Sequence, residues 1–152
     1  MTDSIQSAGN DLKVAGRVAA KAQLRWVNLQ SVSAKVFEYV PPDQLLASQV
    51  FVSPTFGHWP QLGEDLPFFA TFDVKVQLET KQLWASEFTF WLQYYIGENS
   101  FTSEELAAFE RTSLALVSHS YARELVQSLT ARAGMQPALT LATFQLPLDS
   151  LE

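Results

Sequence analysis

The residues Ser120-Tyr121-Ala122-Arg123-Glu124 open an amphipathic stretch that continues as far as Ala133-Gly134. With ~100° between successive residues, a helix over this stretch places its apolar side chains along one side. That side is formed by Leu114, Val117, Tyr121, Ala122, Leu125, Val126, Leu129 and Ala133. The apolar arc is roughly 160° wide, which is more than one sheet usually covers. We therefore expect the helix to bury two sides, one against a sheet and one against a second subunit.

Signals on both sides of this stretch set the limits of the helical region. Thr102 and Glu105 form a capping box, which predicts that a helix begins there. Ser118-His119-Ser120 has weak helix propensity, so the sequence leaves open whether this helix is kinked there or continues unbroken into the next one. Gly134 can adopt the left-handed conformation of a helix cap, and Pro137 blocks continuation, so the second helix is predicted to end at Gly134.

Two alternating runs before this region predict an antiparallel β-hairpin joined by the short turn Thr80-Lys81-Gln82. In residues 67–79 one face carries Phe68, Ala70, Phe72, Val74, Val76 and Leu78, and polar residues predominate on the other face. In residues 83–96 the apolar face carries Trp84, Phe88, Phe90, Leu92, Tyr94 and Ile96. This alternation is typical of strands that bury one face and leave the other exposed to water.

The N-terminal part predicts a short helix and a long strand. Residues 1–9 are small and polar and are expected to be disordered, and Asn10 or Asp11 caps a short helix over 12–21. Residues 23–40 are predicted to form a strand in which the apolar residues change face near Asn28–Gln30. This change indicates either a bulge there or a strand covered on both faces. Pro41-Pro42 ends this strand, because proline cannot donate to a strand ladder.

Residues 41–66 form a long connection with an unusual aromatic content. Leu45-Leu46 and the residues up to Val52 predict a short strand, and residues 53–60 are a loop that contains Phe56 and Trp59. Large apolar side chains in a loop either cover the core or form an exposed groove, and the sequence leaves both interpretations open.

Composition narrows the class of protein. The chain has 152 residues, so we expect residues 1–152 to form one domain. Hydrophobic residues make up 47% of it and charged residues only 17%, which predicts apolar surface that another subunit covers or a partner contacts. The net charge is −6 and the ten Lys and Arg residues are scattered, which argues against nucleic-acid binding.

Other classes are excluded by what the sequence lacks. There is no cysteine, so disulfides and thiolate metal sites are impossible. Met1-Thr2-Asp3-Ser4 does not resemble a signal peptide, and no apolar run approaches membrane-spanning length, so we expect a cytoplasmic protein without a membrane partner. His58 and His119 have no second ligand at metal-binding spacing, and Glu104-Glu105 is explained by the dipole of the helix they begin. We predict neither a metal site nor an enzyme.

Several of these features resemble the SecB family of chaperones. The residues Tyr121-Ala122-Arg123-Glu124, the helix that ends in glycine and the segment Pro137-Ala138-Leu139-Thr140-Leu141-Ala142 carry the resemblance, which extends over roughly residues 23–148. It implies an α+β fold in which a four-stranded antiparallel sheet has a long helix packed on one face, here with a short N-terminal helix added. It also implies a homotetramer built as a dimer of dimers, an oligomer interface at Tyr121, Ala122, Leu125, Val126 and Leu129, and no ATP or other cofactor.

The resemblance also implies a function. SecB proteins hold non-native polypeptides, and departures such as Ser120, Phe90 and Trp91 are similar to the SecB-like branch associated with toxin–antitoxin modules. The expected client is therefore the C-terminal tail of an antitoxin, with exported preproteins as the alternative. The groove of this chain that binds the client is predicted to comprise Trp26, Leu45, Leu46, Val50, Phe51, Val52, Phe56 and Trp59. Glu38 and Glu87 only partly match the acids with which the family binds the translocase motor SecA.

Two other classes stay open. A small α+β enzyme or ligand-binding domain would place a pocket between sheet and helix, and Tyr94, Tyr95 and His58 are its candidate residues. A scaffold that only oligomerises is the third possibility.

Overall fold

The computed structural model describes residues 2–142, with side chains from residue 9 onward. The elements in chain order are helix α1 (Thr2–Lys21), strand β1 (Gln23–Val36), helix α2 (Pro42–Leu46), strands β2 (Gln49–His58), β3 (Asp65–Leu78) and β4 (Lys81–Tyr95), helix α3 (Ser103–Phe109), a π-helical turn (Glu110–Leu114) and helix α4 (Ala115–Arg132). The four strands form one antiparallel sheet in the order β1-β4-β3-β2. The predicted fold class is confirmed.

The predicted hairpin is β3 and β4, which form the centre of the sheet. Its apolar face is buried under the helical region, with Phe109 of α3 against Phe68 and His119 of α4 against Phe72. The buried side chains of this face include Phe68, Phe72, Val74, Trp84, Phe88 and Leu92. The rings of Phe72 and Phe88 stack with their centroids 5.5 Å apart. After α4, the chain adds Met135 and Leu141 to the same core. The opposite face of the sheet has no helix packed on it in the described part of the chain, and we call it the open face.

The strands at the two edges differ from their predictions. β1 ends at Val36, earlier than residue 40, and it has two register shifts, at Arg25 and at Gln30. The second is the predicted bulge, whereas the first was missed. Leu45 and Leu46 belong to α2 and not to a strand. β2 begins only at Gln49 but continues to His58, so the segment predicted as a loop is largely strand.

Pro54 is the reason that the predicted strand ended at Val52, whereas β2 continues to His58. Proline interrupts a strand only where its missing N–H would point into the ladder. The Trp59 N–H donates to the Pro67 carbonyl of β3 at 3.0 Å, so odd-numbered residues here turn their backbone groups toward β3. Even-numbered Pro54 therefore points away from β3, toward the free edge of the sheet, where a missing donor costs no ladder bond.

The helical region is continuous from Ser103 to Arg132, which decides the alternative that the sequence left open at 118–120. The Ser118 hydroxyl donates to the Leu114 carbonyl at 2.7 Å, so this buried polar group is compatible with the helix. The irregularity lies earlier, in the π-helical turn, where the backbone stays helical. The Thr102–Glu105 capping box is confirmed, with the Glu105 N–H donating to the Thr102 hydroxyl at 3.2 Å and the Thr102 N–H donating to the Glu105 carboxylate at 2.9 Å.

Helix α1 begins at Thr2, so residues 2–9, which were expected to be disordered, are helical and the helix is twice as long as predicted; Met1 lies outside the described residues. It packs against α3 through Ala15 and Val18. Arg111 donates to both carboxylate oxygens of Asp11, at 2.7 and 2.8 Å, and Arg17 pairs with Glu105 at 3.1 Å. The hydrogen bond from Arg111 holds the pKa of the Asp11 carboxyl below its usual value. These ion pairs attach α1 to the α3 region.

Ser86 is the basis of a first prediction. It lies on the buried face of β4, and its hydroxyl has no hydrogen-bond partner among the described residues. Because an unsatisfied buried hydroxyl is costly, Ser86→Ala should raise the free energy of unfolding by roughly 1 kcal/mol in urea titrations. Ser48→Ala is the control, since the Ser48 hydroxyl donates to the Leu45 carbonyl, and it should bring no gain. A lower urea midpoint for Ser86→Ala would contradict this account.

The Asp11–Arg111 pair predicts a pH dependence. Because the pKa of Asp11 is lower in the folded than in the unfolded chain, the pair stabilises the fold above the unfolded pKa. This contribution is lost as pH falls through the folded pKa. Asp11→Asn should therefore lower stability by about 0.5–1 kcal/mol at pH 7, and the difference from the parent should vanish at strongly acidic pH. Asp43→Asn, at an exposed position, controls for the loss of one negative charge. An equal loss in both variants would show that the pair itself contributes nothing.

Candidate functional site

The structure does not bring the eight predicted groove residues into one groove. Paired residues of antiparallel strands share a face, so β2 can be assigned from its partners on β3. Val50, Val52 and Phe56 lie on the face that α4 covers, whereas Phe51 lies on the open face. The remaining four fall in two places: Trp26 and Trp59 are on the open face, and Leu45 and Leu46 are in α2.

A cavity of about 180 Å³ lies where the β1–α2 connection passes the end of α4. We call it the crossover groove; its lining residues are Glu38, Tyr39, Val40, Pro42, Leu45, Gly134, Met135 and Gln136. The Tyr39 hydroxyl donates to the Ala133 carbonyl at 2.7 Å, which fixes the connection against the last turn of α4. Gly134 has a φ of 79°, which turns the chain into the groove wall.

Large apolar side chains at the crossover groove are exposed. Tyr39 is 67% exposed although its hydroxyl is bonded, and Leu46, next to the lining residue Leu45, is 73% exposed. Phe37 precedes the lining residues and is also exposed, with the Lys35 ammonium 4.9 Å from its ring centroid. Leu45, in contrast, is buried and forms the floor. Phe37, Tyr39 and Met135 were not among the predicted groove residues, although the aromatic residues just before Pro41-Pro42 were a signal for the first two.

The second apolar surface crosses the open face, and we call it the aromatic row: Trp26, Trp91, Trp59 and Phe69. The ring centroids of Trp26 and Trp91 are 6.1 Å apart, those of Trp91 and Trp59 5.0 Å, and those of Trp59 and Phe69 4.9 Å. Gly57 makes room for this arrangement, because a Cβ atom there would lie 2.3 Å from the Phe69 ring. Trp26 and Trp59 remain 38% and 40% exposed.

The predicted oligomer interface on α4 divides into buried and exposed residues. Ala122 and Val126 are fully buried in the protein's own core, so they have no surface left for a second subunit. Leu125 and Leu129 are half-buried, and Tyr121 is exposed with its ring 6.0 Å from that of Phe90. The sheet covers the central part of the wide apolar arc of α4, so only the flank of that arc stays accessible.

Strand β1 continues the apolar surface beside Tyr121. Leu29 pairs in register with Phe90, and Val32 pairs with Phe88, so both lie on the face that carries α4. Both are nonetheless exposed, because α4 does not extend over this edge of the sheet. We call Leu29, Val32, Tyr121, Leu125 and Leu129 the α4 flank.

The two candidate motor-binding acids do not form an acidic surface. Glu38 accepts a hydrogen bond from Lys81 at 3.4 Å. Glu87 lies on the open face opposite Asp73, in a shallow depression that also contains Lys35 and Lys75. Two carboxylates and two ammonium groups cancel in this depression, so its local charge is mixed.

The residues proposed for an enzyme pocket do not converge. Tyr94 is buried on the helix-covered face, and burial raises the pKa of its hydroxyl to about 12. Tyr95 lies on the opposite face, beneath the guanidinium of Arg25. His58 is bonded through Nδ1 to Glu110 at 2.5 Å, and His119 bonds the Ala142 carbonyl through Nε2 at 2.7 Å. Within the described chain there is no group of three potential metal ligands, and no helix could span a membrane.

The sequence of this chain is similar to those of known SecB-like chaperones. No model of a known protein family matches the chain. It is 28% identical to the SecB-like chaperone Rv1957 of Mycobacterium tuberculosis strain H37Rv, over 97% of this chain and 92% of that protein. The same values hold for the SecB-like chaperone MT2006 of strain CDC 1551.

A solved structure agrees with the sequence comparison. It is that of Rv1957 in complex with a ChAD peptide from the Rv1956 HigA1 antitoxin. Its TM-score to this chain is 0.74 at 24% identity, over 89% of this chain and 99% of that one. The chain is thus SecB-like in sequence and in fold, as the sequence predicted.

Proposed function

We propose that this chain is an ATP-independent holdase chaperone of a toxin–antitoxin module, and that its main client is the antitoxin. The relatives that support this proposal are named SecB-like chaperones, and one of them has been solved with an antitoxin peptide bound. The proposed activity is binding and not catalysis. Exported preproteins are the alternative client.

The observation that carries the proposal is the crossover groove. A folded protein normally buries large apolar side chains, whereas Phe37, Tyr39 and Leu46 stand exposed around a cavity with an apolar floor at Leu45 and Met135. A client Phe or Leu that buries about 100 Å² of apolar surface there would contribute about 2.5 kcal/mol. Two or three such contacts give the reversible binding that a holdase needs.

The free edge of β2 provides a second mode of contact. Since odd-numbered residues pair with β3, the even-numbered ones turn their backbone groups outward, and an extended client can pair with them. Pro54 supplies no donor in the middle of this edge. The edge therefore allows short pairings on either side of Pro54 and prevents a long continuous one, which keeps the client releasable.

We further propose that the α4 flank contacts a second copy of the chain, and that the assembly is a dimer of dimers. Leu29, Val32 and Tyr121 form a contiguous apolar area beside a helix whose other side is already buried. A second copy of the same surface would cover this area while both open faces stay accessible.

Client binding at the crossover groove can be tested with Tyr39→Ser combined with Leu46→Ser. This variant should lose most protection of heat-denatured citrate synthase in a light-scattering assay, because client side chains would lose their apolar contacts. Leu62→Ser is the control, since Leu62 is 66% exposed but lies outside the groove. Unchanged protection by the groove variant would disprove the groove as the client site. Co-expression with an antitoxin of the same organism tests the dedicated role, which fails if antitoxin solubility does not rise.

The assembly can be tested by native mass spectrometry. Tyr121→Asp should shift the particle from a tetramer to smaller species, because a charge on the α4 flank would be buried at the subunit contact. Gln127→Asp places the same charge on an exposed position of α4 and should leave the tetramer intact. A parent protein that is already monomeric would refute the proposed assembly.

A further inference from the structure

Strand β2 carries an apolar strip that the described part of the chain covers only in part. The strip consists of Val50, Val52, Pro54 and Phe56, which lie on the face of the sheet that carries α4, and we call it the β2 strip. Val50 is 39% exposed and Pro54 is also exposed, whereas Val52 and Phe56 are half-buried. The strip lies along the free edge of the sheet, so an extended segment could cover it and pair with the edge at the same time.

The segment that follows α4 ends near the middle of β2. It begins at Gly134 in the crossover groove, close to the start of β2. It ends at Ala142, whose carbonyl is bonded to His119 Nε2 at 2.7 Å. The His119 ring lies 6.4 Å from the ring of Phe72, and Phe72 is the register partner of Pro54. The segment therefore runs in the same direction as β2 and reaches the level of Pro54.

The residues after this point have the sequence pattern of an edge strand. Residues 143–152 lie outside the described residues, and we call them the trailing segment. The pattern is out of phase with Leu139 and Leu141, which pack in the core, so its apolar side chains require a surface of their own. Every second residue in its first part is apolar, which is the period of a strand with one apolar face. These residues are Phe144, Leu146 and Leu148.

The geometry of β2 suits this segment in length and in hydrogen bonding. An extended chain rises about 3.3 Å per residue, so residues 143–146 span the distance from Pro54 to His58. The even-numbered residues of this half of β2 turn their backbone groups outward, including the N–H of Phe56. Pro147 has no N–H and ends the pairing. Since the segment is tethered at Ala142, its effective concentration at the strip is on the order of millimolar, and weak contacts suffice.

We propose that the trailing segment occupies the second half of the β2 strip as a fifth strand of the sheet, and that it competes there with the client. Phe144 and Leu146 lie over Pro54 and Phe56, and the pairing ends at Pro147. The competition rests on the proposed function, because it concerns an extended client at the same edge. The trailing segment keeps this edge closed until a client displaces it, and it prevents two free edges from pairing with each other.

Docking of the trailing segment can be tested by hydrogen–deuterium exchange on the full chain in its native assembly. Phe144→Ser combined with Leu146→Ser should speed exchange of the Phe56 amide roughly tenfold, because this outward N–H would lose its cover. Exchange at Val50 should stay unchanged, since the trailing segment begins further along the strand. Mass spectrometry of the peptides that contain Phe56 and Val50 gives both rates.

The matched control is Leu148→Ser combined with Leu151→Ser. It removes two apolar side chains beyond Pro147, and its exchange should equal that of the parent protein. Equal exchange in the parent protein and in both double variants overturns the proposed docking and leaves the chaperone function standing. If the Phe56 amide is protected only at high protein concentration, a second copy covers the strip and the proposal is wrong.

Competition is measured with a fluorescein-labelled extended peptide that contains Leu and Phe. By fluorescence anisotropy, the Phe144→Ser, Leu146→Ser variant should bind this peptide about fivefold more tightly than the parent protein, because no intramolecular competitor has to be displaced. The Leu148→Ser, Leu151→Ser control should bind it like the parent protein. Faster exchange without tighter peptide binding would refute the competition. If the peptide binds none of these proteins, the competition falls with the proposed function, whereas exchange of the Phe56 amide still decides whether the trailing segment docks.

Discussion

Burial of one face of the β3–β4 hairpin beneath α4 is the contact on which the rest of the structure depends. Phe68, Phe72, Phe88 and Trp84 are essentially inaccessible to solvent, and the rings around Phe72 pack at stacked and edge-on angles. Close packing of this kind leaves little freedom in the register of the two strands. Because the register is fixed, every side chain on the opposite face of β3 and β4 is fixed as well.

Because the core lies on one face of the sheet, the opposite face is exposed to water. The described helices and the segment after α4 supply apolar partners to only one face of the sheet, so the open face must be stable against water. It meets this requirement with polar residues such as Thr71 and Thr89, whose hydroxyls share a hydrogen bond of 2.8 Å. The aromatic row departs from this pattern. Its rings pack on one another, which lowers their exposed area without removing it.

The apolar surfaces therefore have different physical origins. The crossover groove arises because the β1–α2 connection is bonded to the end of α4 by Tyr39, whose ring stays outside. The α4 flank arises because α4 leaves the β1 edge of the sheet uncovered, where Leu29 and Val32 stay exposed. The aromatic row arises on the face that no helix reaches. In the proposed function, one of these surfaces, the α4 flank, serves assembly and the crossover groove holds the client.

The sequence by itself determined the alternation of β3 and β4, the capping box at Thr102 and the end of α4, because these follow from residues close together in the chain. Only the tertiary structure decided on which face Trp26, Phe51 and Phe56 lie, since a bulge at Arg25 and the outward direction of Pro54 set the register of the edge strands. It also decided that Ala122 and Val126 belong to the core and that Tyr39 does not. Exposure depends on what packs above a side chain, and that contact comes from residues far away in the sequence.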